Sequence, residues 1–319
     1  MDAVHDHQPM VEVTNLTHRF ADRVAVNDIS FVVRTGSIVA ILGPNGSGKT
    51  TLFRILATLL KPTSGRASIG GADIQTQPAE VRAKLGVVFQ HPSLDAKLTV
   101  AENLRHHGHL YGLSGADLRT RMDSALERFG LYDRRRDRVD RLSGGLRRRV
   151  ELAKVMLHRP AVLLLDEPST GLDPAVRRSL FDYLAECRKR DGVTTLLTTH
   201  LMEEADRCDV VAVMDQGRIV AMDSPAALKS RVGGDVVMMS TADPTAFKQR
   251  LEQRFQVTAV AVGGTLHVER ARGHEFVPQL IEAFPGEIDS VTVGRPTLED
   301  VFLRLTGRPL QADLAAAER

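Results

Sequence analysis

A chain of 319 residues has room for one large domain and a smaller one, and 26% charged residues with a formal net charge of +2 leave no excess that would mark a nucleic-acid-binding surface. No apolar run approaches the roughly 20 residues of a membrane span, and the opening MDAVHDHQPM lacks an apolar signal core, so the expected location is the cytosol. Two cysteines, Cys187 and Cys208, without CxxC spacing or a third partner, read as buried or incidental thiols of a reducing compartment.

In chain order, the first segment alternates as strands do: Val11, Val13 and Leu16, then Ala25, Ile29, Phe31 and Val33, with turn residues between. This predicts an antiparallel edge sheet leading into the next strand. Phe20, near the end of the first strand, offers a flat apolar face that could stack on a nucleobase, although a lone Phe is more often a core residue. The apolar run 37–42 then enters Gly43, Pro44, Asn45, Gly46, Ser47, Gly48, Lys49 and Thr50, and Thr51, Leu52, Ile55, Leu56 and Leu59 continue at helical spacing to about Leu60. The string fits G-x-x-x-x-G-K-[ST] at every fixed position, in the strand-loop-helix context of a phosphate-binding loop. Its glycines let successive N–H groups turn inward around a polyphosphate, and the helix start adds unpaired donors and partial positive charge. Lys49 is placed to bridge the outer phosphates and the Thr50 hydroxyl to hold Mg²⁺. A dinucleotide fingerprint is excluded, because Thr51 stands where its last glycine is required.

A short strand pair follows at residues 67–69 and 71–74, then a buried strand at 86–89 with Gln90 at its end. From about 97 to 159 the pattern is helical. Thr99 and Glu102 have capping-box spacing, and Leu118, Met122, Leu126 and Phe129 form a second stripe that Gly130 stops. His106, His107 and His109 lie between these helices. With no carboxylate or cysteine at ligand spacing, a solvated or partner-facing surface accounts for them better than a metal site. The charged run 133–141 reads as a solvated loop. It ends in Leu142, Ser143, Gly144 and Gly145, ahead of a helix whose stripe is Leu146, Val150, Ala153 and Leu157. Such an entry is a ready anion site, with backbone donors, a hydroxyl and a helix N-terminus, although alone it would be a plain helix cap.

The continuous apolar run 162–165 reads as a parallel strand covered on both faces, and it delivers Asp166 and Glu167 at its carboxyl end, where open α/β sheets place chemistry. Asp166 has the setting of a Mg²⁺-binding carboxylate, and Glu167 is the nearest group able to accept a proton from an attacking water. A polar turn, 169–173, and an apolar strand, 194–198, ending near His200, complete the set.

With these motifs in this order, the chain resembles an ATP-binding-cassette (ABC) ATPase up to about Asp223. The resemblance implies an α/β fold, with a parallel core sheet, an antiparallel N-terminal sheet and a helical subdomain at about 97–159. It implies that Phe20 stacks on adenine, that residues 43–51 hold the phosphates, and that Thr50, Gln90 and Asp166 serve Mg²⁺. It further implies that Glu167 and His200 are catalytic and that Asp173 belongs to the D-loop. Two cassettes then pair head to tail, so that Ser143, Gly144 and Gly145 of one chain cover the γ-phosphate held by the other, forming two sites by symmetry. Leu146 departs from the usual glutamine. Together with Arg147, Arg148 and Arg149, with HPSLDAKLTVAENL and with TLEDVFLRLTG, it resembles the drug-resistance, anthracycline-type exporter subgroup, whose partner is a separate membrane permease. The expected protein is therefore a peripheral cytoplasmic ATPase that binds no nucleic acid, with exposed residues such as Arg105 and His109 facing the permease. The other readings are a soluble ABC ATPase of translation or DNA repair, whose tandem cassettes or coiled-coil insertions are absent, and an import ATPase.

Residues 224–319 are not cassette sequence. Their pattern, strand 236–240, helix 244–255, strands 257–262 and 265–269, helix 275–284 and strand 288–293, is the β-α-β-β-α-β order of a ferredoxin-like domain. Thr297 and Asp300 have capping-box spacing for a last helix. The expected role of this domain is dimer contact or regulation.

Overall fold

In the computed structural model, which describes residues 9–90 and 93–310, strands β1 (Pro9–Phe20) and β2 (Arg23–Arg34) pair antiparallel and bury the alternating residues expected. The opening octet, and His91 and Pro92 of the HPSLDAKLTVAENL stretch, lie outside the described residues. The odd step from Val13 to Leu16 would put these side chains on opposite faces of a regular strand. A register shift there, with Asn15 at φ 48, lets both point inward.

β3 (Ile38–Leu42) is wholly buried and leads into α1 (Lys49–Leu56). The helix stops short of the expected Leu60: Thr58 turns left-handed at φ 62, the Leu59 and Leu60 N–H groups both donate to the Arg54 carbonyl, and Leu59 leaves the apolar stripe for solvent. β4 (Ser64–Ile69) and β5 (Ala72–Asp73) complete a four-stranded sheet in the order β2-β1-β4-β5. After α2 (Pro78–Lys84) comes β6 (Leu85–Val88).

The helical segment holds α3 (Val100–Leu110), α4 (Gly115–Arg128) and α5 (Gly144–Met156). The α3 capping box forms as expected, and the Asp137 and Arg135 carbonyls accept from Val100 N and Ala101 N. The charged run thus satisfies two orphan donors of the helix with its backbone, while Val139 is buried. The histidines divide. His106 and His109 are exposed, but His107 turns inward, its ring centroid 4.9 Å from that of Tyr111 and 5.8 Å from that of His158, so a solvated or partner-facing surface does not describe it.

β7 (Val162–Asp166), α6 (Pro174–Asp191), β8 (Thr194–Thr199), α7 (Met202–Ala205), β9 (Val210–Asp215) and β10 (Arg218–Asp223) follow. The second sheet runs β10-β9-β3-β8-β7-β6, with β3, β8, β7 and β6 parallel. Its register sets Leu42 beside Thr199, Asp166 beside Thr198 and Val88 beside Leu165, so the loops after all four strands leave the same edge.

The chain divides into two compact units, Met1–Val210 with Met214–Ile219, and Val211–Val213 with Val220–Arg319. The second contains α8 (Pro225–Ser230), β11 (Asp235–Thr241), α9 (Pro244–Phe255), β12 (Ala259–Val262), β13 (Thr265–Arg270), α10 (Gly273–Ala283), β14 (Ile288–Gly294) and α11 (Leu298–Thr306). The sheet order β12-β13-β11-β14, antiparallel throughout, is the ferredoxin-like arrangement. Val237 and Met239 of β11 and Leu266 and Val268 of β13 form its core with Phe247, Leu251, Phe276 and Leu280 of the two helices. β12 begins two residues later than expected, because Gln256 ends α9 in the left-handed region at φ 52. The α11 capping box forms between Thr297 and Asp300.

Candidate functional site

Four parallel strands ending at one sheet edge bring together segments far apart in the sequence. The phosphate-loop string fills the turn from β3 to α1, and its glycines have separate reasons. A Cβ on Gly43 would lie 2.2 Å from the Met214 carbonyl oxygen, so this position needs close approach; Gly48, at φ 105, needs the left-handed region and would also strike the Ala25 carbonyl oxygen at 2.2 Å. The loop borders a cleft of about 450 Å³ lined by Phe20, Arg23, Ala25, Asn45, Gly46, Gly48, Lys49, Thr50, Thr51, Gln90 and Glu167. Phe20 is 46% exposed, with its ring edge-on to His18 at 4.4 Å, so it is a rim residue and not core. Gln90 is exposed on the same rim, while Ser47 is buried beneath the loop.

Lys49 is buried at the head of α1, and its ammonium donates to the carbonyls of Gly43 (2.8 Å) and Pro44 (2.9 Å). Burial lowers its pKa, opposed by Glu167 and Asp166. Glu167 Oε1 lies 3.8 Å from Lys49 Nζ and 3.4 Å from His200 Nδ1. The His200 ring first, and then Lys49, hold the Glu167 carboxyl below the usual glutamate range, against the opposing effect of burial. Glu167 sits at φ 46, an uncommon conformation for a residue with a Cβ. Its amide donates to Thr198 Oγ1 (2.9 Å), and its Oε2 accepts from Thr170 (3.1 Å).

Asp166 is almost fully buried, and its Oδ1 accepts from Thr198 Oγ1 (2.6 Å) and Thr50 Oγ1 (3.3 Å). Its Oδ2 is buried with no hydrogen-bond partner among the described residues. An unpaired carboxylate oxygen beside a threonine hydroxyl is a donor set that fits a hard, oxygen-liking cation such as Mg²⁺. Among the described residues there is no group of three or more His, Cys, Asp or Glu side chains able to hold a metal, so the three exposed and half-buried α3 histidines form no such group.

Ser143, Gly144, Gly145 and Asp173 are not among the described residues that line this cleft. Ser143 caps α5, accepting from Leu146 N at 3.3 Å, and Gly144 has open space where a Cβ would stand. Asp173 caps α6, accepting from Ala175 N and Val176 N, both at 3.0 Å.

Sequence reasoning missed Arg23, whose guanidinium donates to the Gly46 carbonyl at 2.9 Å, and Thr198, which holds both Asp166 and Glu167. A signal for Thr198 existed: β8 reads TTLLTT, and four hydroxyls in a fully buried strand require partners. Both cysteines are free and buried. No helix among the described residues is long and apolar enough to cross a membrane.

A family model described as ABC transporter matches residues 26–170. The chain is 37% identical over 310 residues to the daunorubicin resistance ATP-binding protein DrrA2 of Streptomyces coeruleorubidus, covering 93% of this chain and 95% of that protein. It is 38% identical to the Nod factor export ATP-binding protein I of Burkholderia lata (94% and 98% covered), and 32% identical to the linearmycin resistance ATP-binding protein LnrL of Bacillus subtilis (95% and 100%). Among solved structures, cbiO1 from Clostridium perfringens, part of the ABC transporter complex cbiONQ, is similar at TM-score 0.65 and 29% identity, over 78% of this chain and 96% of that one. The ATP-binding cassette MJ0796, a dimer bound to ADP and phosphate after hydrolysis, is similar at TM-score 0.62 and 27% identity, over 67% and 98%.

Proposed function

Since the chain belongs to the ABC transporter family, as an ATP-binding subunit, we propose that it hydrolyses ATP to energise a separate membrane permease that exports a hydrophobic drug, antibiotic or metabolite. The observation that carries the ATPase reading is the meeting of Lys49, Glu167 and His200 at the mouth of the phosphate loop, with Oε1 of Glu167 3.8 and 3.4 Å from the other two. Export is supported by relatives whose names carry drug resistance and Nod factor export and whose similarity spans the C-terminal unit as well.

In this reading Phe20 stacks on the adenine, and Lys49 with the loop amides of residues 43–51 holds the phosphates. Thr50, Gln90 and Asp166 would hold Mg²⁺, which when bound offsets phosphate charge. Glu167, kept ionised by its neighbours, accepts the proton of the attacking water, and His200 steadies that carboxylate. Two copies pair head to tail, residues 143–145 of one closing on the γ-phosphate in the other, and Asp173 lies at the same junction. Closure moves the permease only by the difference in ATP affinity between open and closed pairs. The exposed Arg105 and His109 of α3 receive the permease, which keeps the protein at the inner face of the membrane. We place the domain boundary at 223/224, after β10, and give residues 224–319 a role in dimer contact or regulation.

The test separates binding from turnover. Lys49→Ala weakens ATP binding and hydrolysis together, through loss of a charge-assisted contact. Glu167→Gln binds ATP as the wild type does and loses hydrolysis by about 10²-fold or more, the scale for removing a general base. A Gln variant that turns over normally would sink the assignment.

A further inference from the structure

Of the three consecutive arginines after Leu146, Arg147 is exposed and Arg149 half-buried, but Arg148 is only 9% exposed. Its Nε donates to the Pro168 carbonyl (2.7 Å), and its Nη1 donates to the Phe89 carbonyl (3.3 Å) and to Glu151 Oε2 (2.8 Å). Glu151, 2% exposed, accepts from Ser93 N at its other oxygen (2.9 Å). Lys154 donates to Ser93 O (2.9 Å) and Oγ (2.6 Å). The three charged residues stand at i, i+3 and i+6, on one buried face of α5.

Buried ionic groups are poor stabilisers, since apolar side chains of similar size often do as well. These groups grip backbone. Pro168 directly follows Glu167, and Phe89 directly precedes Gln90; the helix that carries Arg148 is capped by Ser143, about 7.5 Å away along its axis at 1.5 Å per residue. One side chain therefore links the segment that meets the partner's nucleotide to the two segments that meet the chain's own. We propose that Arg148, Glu151 and Lys154 are positioning residues that set Glu167 and Gln90 according to the seating of residues 143–145, so that turnover depends on them and nucleotide binding does not. This rests on the function proposed above.

The test is the double variant Arg148→Met with Glu151→Met, which removes the buried ion pair as a unit and leaves Lys154 held by its hydrogen bonds to Ser93 O and Oγ. Melting temperature, affinity for a fluorescent N-methylanthraniloyl-ATP, and kcat and KM for MgATP are measured on the full chain. The expected result is melting within a few degrees of wild type, affinity and KM within about threefold, and kcat lower by about tenfold or more. Arg148→Lys, a second variant that keeps the charge opposite Glu151 but cannot span both carbonyls, lowers kcat by at least about threefold. A folded double variant with kcat within twofold of wild type overturns the proposal. So does a parallel fall in affinity, kcat and melting temperature, which marks a structural role; should the double variant not fold, an unchanged kcat in Arg148→Lys overturns it. Glu167→Gln in the same assays separates the two readings: if it is inactive while the Met pair is fully active, only the positioning role fails, and if it is active the reading of the site itself fails.

Discussion

Lowering the pH from 7.5 to 5.5 should weaken the folded cassette through one ring. His107 is half-buried on α3 against Tyr111 and His158, its Nε2 without a hydrogen-bond partner among the described residues. Burial first, then the neighbouring Lys154 and His158, pull its pKa down from 6.5 to about 3. Between those values the unfolded chain binds a proton that the folded chain refuses, so stability falls as pH falls through 6.5. With an unfolded pKa of about 6.5, the loss between pH 7.5 and 5.5 is about 1.4 kcal/mol from this group. At a urea slope of about 3 kcal/mol per M this is a midpoint shift of about 0.5 M. The assay compares urea unfolding of wild type and His107→Phe, which keeps a ring against Tyr111, at both pH values. Wild type should lose about 0.5 M more than the variant, since the other titrating groups are common to both. Equal losses in the two proteins would refute the reasoning, for they would mean that His107 titrates in the folded state.

Gly48→Ala forces a Cβ to within 2.2 Å of the Ala25 carbonyl oxygen at φ 105 and should weaken nucleotide binding by tenfold or more on the order of the 1–3 kcal/mol that such strain costs, as titration with labelled ATP would read. Gly144→Ala meets open space within its own chain, so its melting temperature should match wild type while ATP-driven pairing weakens; a drop in melting temperature would place the glycine's role within the fold. Removing residues 224–319 should leave ATP affinity within a few-fold and weaken the pair or its regulation. A folded truncation that no longer binds ATP would show that the C-terminal unit completes the site.

Much of this molecule is written in local pattern. The phosphate loop, the apolar strand that delivers Asp166 and Glu167, and the Thr99 and Thr297 caps each depend on residues a few positions apart, so spacing reveals them. What spacing hides is a partner supplied by another segment. Arg148 looks like its two neighbours in sequence and differs only because Phe89 and Pro168 carbonyls lie where its fork reaches. His107 shares a run with His106 and His109, and the helix phase alone does not say that His158 closes over it. Glu204 is similar: almost fully buried, it accepts from Ser169 and from Thr199 Oγ1, two hydroxyls from different strand ends.

The central claim, a nucleotide site shared by two copies, is tested most directly by weighing the Glu167→Gln protein in solution. Multi-angle light scattering with saturating ATP and Mg²⁺ should move its mass from 35.0 kDa to about twice that, because closed pairs form and cannot hydrolyse their way open. Lys49→Ala, unable to hold the phosphates, should stay at the monomer mass under the same conditions. A Gln variant that binds ATP fully and remains a monomer would contradict the shared site.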